Sequence, residues 1–128
     1  MNRLFFFGFG FVAWLVATIV FRIAGHVFFL DDNAAVLTIL WIGAALGLIV
    51  MSLALFRWQK LTSAQRYEAV VLMSLPGMVL DALVVELFPL VYPNMLVTSA
   101  SSFGAWLLWA YASVLIAAML PIGVNDQL

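Results

Sequence analysis

Cysteine is absent from the 128-residue chain. Without thiols there is no disulfide, no thiolate nucleophile, no iron–sulfur cluster and no cysteine-bound zinc. One histidine, His26, excludes a multi-histidine metal site within a single chain. Charge is scarce as well. Five basic and six acidic residues make up 9% of the chain and sum to −1. That leaves no basic face for nucleic acid and no acidic tail. A typical soluble domain is about 25% charged, so eleven such side chains are too few to cover a soluble globule. The 67% share of hydrophobic residues also excludes disorder. What remains is an integral membrane protein.

A spanning helix needs about 20 mostly apolar residues, so the length accommodates four spans and no soluble domain beside them. The apolar runs are long and lack the two-residue alternation of a membrane barrel. Leu4–Phe21 and Ala34–Phe56 contain no charge at all. The first run is too long for a signal-peptide core and no small-residue cleavage motif follows it, so an uncleaved span is expected. Thr62 with Gln65 fits a capping box at the start of a third helix. Pro89, Pro93 and Asn94 break the chain, and Ser99, Ser101 and Ser102 are candidate N-caps for a fourth. Residues 1–128 thus read as one all-α domain, an up-down-up-down bundle with spans over about 4–25, 34–56, 66–88 and 102–121.

Arg3 precedes the first span, and Arg57, Lys60 and Arg66 lie between the second and third. The other two loops, around Asp31-Asp32-Asn33 and around Asn94, carry no lysine or arginine. The positive-inside rule then puts both termini in the cytoplasm.

Three ionisable residues fall inside spans, where they are costly and mark candidate sites: Arg22, Asp81 and Glu86. A rise of about 1.5 Å per residue sets Arg22 about 27 Å above Leu4, and Asp81 about 21 Å above Tyr67. The simplest pairing is Arg22 with Asp81 across the outer half of the bundle, bridged by the long arginine side chain. One arginine then faces two carboxylates, so His26, another cation or an added proton must balance the sum. Pro76-Gly77, one turn before Asp81, removes a backbone donor and permits a kink that frames a cavity. Trp106, near the level of Asp81, and Trp109 are candidate indole donors to that carboxylate. Asn94 completes the candidate ligand set with Arg22, Asp81, Trp106, His26 and Glu86. The alternatives are bland: a structural ion pair, Glu86 in the headgroups, His26 in a loop and tryptophans facing lipid. Gly43-x-x-x-Gly47 permits close helix packing, expected inside the bundle, and Gly10, Ala13 and Ala17 form a similar stripe. Trp58 and Tyr92 suit the aromatic belts at the two interfaces.

At Phe21-Arg22-Ile23-Ala24-Gly25-His26, Pro76-Gly77-Met78-Val79-Leu80-Asp81-Ala82-Leu83, Tyr92-Pro93-Asn94 and residues 103–111, the chain resembles a family of small bacterial four-helix membrane proteins of unknown function. The resemblance implies a bacterial cytoplasmic (inner) membrane and supplies no activity. Small multidrug exporters differ in carrying a glutamate in their first helix, and here Leu4–Phe21 has no acid.

The expected function is binding or transport of a small molecule or ion through a polar pocket in the outer half. The alternative is a structural or accessory subunit whose Arg22–Asp81 pair only locks the bundle. An enzyme is least favoured, because no nucleophile–base pair is visible. No cofactor and no metal are expected. Expected partners are the lipid bilayer, the small-molecule or ion ligand and further copies of the chain; nucleic acid is not.

Overall fold

The computed structural model describes residues 2–28 and 34–120. Among these residues there is no strand. Helix α1 spans Arg3–Phe28, α2 Ala34–Trp58, α3 Ser63–Glu86 and α5 Ala100–Met119. A four-residue helix, α4 (Phe88–Val91), and a 3-10 turn over Val97–Ser99 join α3 to α5. The four long helices are long and apolar enough to cross a membrane. Asp31, Asp32, Asn33 and the tail from Pro121 lie outside the described residues.

The start of α3 follows from its cap. Thr62 Oγ1 accepts from the Gln65 amide at 3.3 Å, and Gln65 Oε1 accepts from the Thr62 amide at 3.0 Å. This capping box satisfies two donors that a helix start leaves open. Three residues N-terminal to the expected start of the span, it also draws Arg66 into the first turn of the helix. Ser99 occupies the N-cap position of α5 without a side-chain cap bond.

Long helices that follow one another in sequence run in opposite directions, but they are not the closest neighbours. Helix α1 packs in parallel along α3, α2 in parallel along α5, and α3 antiparallel to α5, while α1 and α2 meet at few points. The parallel register of α1 on α3 is visible in the pairs Arg3–Glu68, Trp14–Asp81 and Arg22–Val91. It is set by Gly10. A Cβ there would lie 1.9 Å from the Met73 carbonyl oxygen, so only glycine lets the two backbones approach this closely.

Apolar side chains pack at both ends of the bundle. At one end Phe6, Phe56, Leu61, Val70, Met73 and Ala117 are buried together. At the other, Phe21, Val84, Phe88, Tyr92, Met95 and Phe103 form an aromatic cluster, with Phe103 centred 5.5 Å from Phe21 and 5.1 Å from Tyr92. Tyr92 therefore lies in the core and not, as its position suggested, in an interfacial belt. Trp58 is exposed, as a belt residue is.

Gly43 and Gly47 are a second correction. Both are exposed, and a Cβ on either would meet nothing within 4 Å. Gly43 borders an open groove with Trp106 of α5, and neither glycine is used for a close helix approach. Arg66 is a third. The sequence puts it among loop charges, yet its side chain is fully buried. Its Nη1 donates to the Leu120 carbonyl at 3.2 Å, and its guanidinium lies 5.3 Å from the centre of the Phe56 ring.

Candidate functional site

Between the two packed ends the bundle is hollow. A cavity of about 160 Å³ is bounded by all four long helices, from Phe9 and Gly10 at one end to Phe21 and Tyr92 at the other. Most of its wall is apolar or aromatic, including Trp14, Trp106 and Tyr111. Its open side falls where α1 and α2 separate. There Ala13 and Ala17 of α1 and Met51 of α2 line the cavity and are exposed.

Among the described residues Asp81 is the only acidic one on this wall, and no lysine or arginine shares it. It is buried, with 7% of its surface exposed. Its Oδ1 accepts from the indole Nε1 of Trp14 at 2.8 Å, and its Oδ2 accepts from the hydroxyl of Tyr111. One carboxylate thus joins α1, α3 and α5 through two neutral donors. A carboxylate offers about four acceptor positions, so two remain for a further partner.

A glycine-sized gap makes room for this arrangement. Gly77, one turn before Asp81, stands against the Tyr111 side chain: a Cβ would come within 2.6 Å of its hydroxyl oxygen. Glycine at this position lets the phenol reach the carboxylate. The adjacent Pro76 is buried within an unbroken α3. On α1, Thr18 donates to the Trp14 carbonyl at 2.9 Å, one turn back along the same wall.

The expected Arg22–Asp81 pair is not formed. Arg22 is exposed, and its Nη1 donates to the Val91 carbonyl at the end of α4, at 2.7 Å. The reason is the register of α1 on α3, which brings the Asp81 carboxylate to Trp14 rather than to Arg22. Trp14 precedes Arg22 by eight residues, about 12 Å along α1.

The tryptophans of α5 do not reach Asp81 either. Trp106 donates to the Leu40 carbonyl at 3.4 Å and Trp109 to the Trp41 carbonyl at 2.8 Å, both on α2. They hold α5 to α2, although Trp106 also borders the cavity. Asn94 donates from Nδ2 to the Phe21 carbonyl at 3.0 Å and fastens the loop after α4 to α1. Glu86 is exposed and off the cavity wall. His26 belongs to α1, but its side chain lies outside the described residues. Of the six candidates, then, the fold brings Asp81 and Trp106 to the cavity. Sequence reasoning missed Trp14 and Tyr111. No signal in the sequence marked them, because the register of α1 on α3 is set by residues far apart in the chain.

Residues 28–123 match the model of a family described as a family of unknown function, DUF5367. No curated protein and no solved structure matches the chain.

Proposed function

We propose, from the premise that the chain belongs to this family of unknown function, that the protein binds a small molecule or ion in the mid-bundle cavity, for carriage across or within the membrane. The observation that carries this reading is Asp81, a single carboxylate on a mostly apolar and aromatic wall, with acceptor capacity left over. Ionisable groups at such positions are costly in a membrane and are kept where they contact a ligand or ion.

The orientation we propose has both ends of the chain in the cytoplasm of a bacterial inner membrane. Arg3, Arg57, Lys60 and Arg66 support it by their place in the sequence. The Arg3–Glu68 pair and the Arg66–Leu120 bond bring the two ends of the described chain to the same end of the bundle.

A second reading has its own observation. Because Asp81 bonds to α1 and α5 at once, it also serves as a lock between three helices, as in a structural subunit. Asp81→Asn separates the two. Asparagine retains one acceptor oxygen and the same shape, so under the binding reading stability in detergent falls by only about 1 kcal/mol. A variant that fails to fold, and that Tyr111→Phe reproduces, returns the site to the structural reading. Thermal unfolding followed by circular dichroism measures both.

A further inference from the structure

The cavity narrows the class of ligand, and this inference rests on the binding reading above. We infer that the ligand is an organic cation with an apolar or aromatic body, admitted from the lipid through the gap between α1 and α2. Four observations converge on it.

The first is charge. Among the described residues Asp81 meets no cationic side chain on the cavity wall. The ion pair among the described residues is Arg3–Glu68, at the start of α1 and away from this site. The two partners of the carboxylate, an indole and a phenol, are neutral, so the ionised carboxylate leaves a counter-charge for a bound cation to supply. The second is the wall itself. The rings of Trp14, Trp106 and Tyr111 border the same space, and aromatic faces attract cations, most strongly where water is excluded. A hard metal ion has no such match. Calcium takes six to eight oxygen ligands, and magnesium requires octahedral geometry. Here one carboxylate is present, the Thr18 hydroxyl is turned to the Trp14 carbonyl, and the described residues hold no cluster of three metal-binding side chains.

The third is size. About 160 Å³ is close to the roughly 150 Å³ of an apolar cavity that takes up benzene, so the enclosed space takes a group the size of one aromatic ring, and the rest of the ligand lies in the open gap between α1 and α2. The fourth is the route. The open side of the cavity lies along the length of α1, at Ala13 and Ala17, and not at either end, where the two apolar clusters close the bundle. A ligand that already partitions into the bilayer reaches this opening directly.

The test uses the full chain in lipid nanodiscs and three probes: benzyltrimethylammonium, its neutral carbon isostere neopentylbenzene, and magnesium ion. Binding is read by calorimetry and by the fluorescence of the tryptophans at the cavity. The ammonium probe is expected to bind at least about tenfold tighter than the isostere, as a desolvated cation over aromatic rings does. Asp81→Asn should remove that preference and leave the isostere unaffected. Ala17→Leu, at an exposed position on the opening, should weaken both organic probes, and it keeps the test informative if Asp81→Asn does not fold. Equal binding of cation and isostere to the unsubstituted protein overturns the cation inference and leaves the cavity reading standing, as does binding of magnesium alone. Binding of none of the three overturns both.

Discussion

Gly10→Ala is expected to lower the stability of the bundle by about 3 kcal/mol, more than most single-methyl additions. The added carbon would stand 1.9 Å from the carbonyl oxygen of Met73, with the Met73 carbonyl carbon and Cα at 2.6 and 2.7 Å. All three are backbone atoms within α3, so no rotamer change relieves the overlap. The helices have to separate by more than 1 Å at this crossing, and α1 then loses its register on α3. The consequence extends to the site, because the same register aligns Trp14 with Asp81. Gly8→Ala is the control. It lies on the same helix with nothing within 4 Å of the new carbon, and replacing glycine by alanine in a helix gains up to about 1 kcal/mol. Unfolding in detergent, followed by circular dichroism, should move in opposite directions for the two variants. Equal effects would mean that the crossing is looser than the geometry indicates.

Arg66→Ala is expected to cost about 3 kcal/mol, while Arg66→Met should leave stability unchanged or raise it. Arg66 is fully buried at the start of α3 and ties it to the end of α5 through the Leu120 carbonyl. Truncation to alanine removes that bond, the contact with Phe56 and the volume of a long stem in a packed cluster. Methionine keeps most of the volume. It also removes Nε and Nη2, which have no hydrogen-bond partner among the described residues. Buried donors without partners are unfavourable, and replacing them with apolar groups of similar size is often neutral or stabilising. Chemical denaturation of the two variants side by side distinguishes packing from charge. If methionine is as damaging as alanine, the charge itself holds the two helices together.

Much of this architecture is legible in the sequence. Runs without charge at Leu4–Phe21 and Ala34–Phe56 permit only buried or lipid-facing helices. Thr62 and Gln65 fix where α3 starts, because their bonds are local and depend on three intervening residues alone. Asp81 is legible as a site residue for a similar reason: one acid in a long apolar run is anomalous wherever its neighbours stand.

Its partners are another matter. Charge scarcity suggests that Arg22 and Asp81 seek each other, but the register of α1 on α3 puts the carboxylate beside Trp14 and Tyr111 instead. Arg66 reads as a loop charge because composition carries no record of which chain segments converge on it. Gly43 and Gly47 have the spacing of a packing stripe and pack against nothing, whereas Gly10 and Gly77 make the close approaches. Spacing alone cannot rank these glycines, since the pattern is the same whichever way a helix is rotated.

The sequence by itself thus determined the membrane, the four helices and the one acidic residue in them that borders the cavity. These rest on hydrophobicity and local hydrogen bonding, which act within a helix or between it and the lipid. Only the tertiary structure decided that α1 lies along α3 and not α2, that the waist of the bundle is hollow, and that Asp81 faces that hollow between two neutral donors. Those outcomes depend on how four similar apolar surfaces divide their contacts, and lipid is as apolar as any of them. Close approach at glycine and hydrogen bonds between helices make the choice, and both involve residues far apart in the chain.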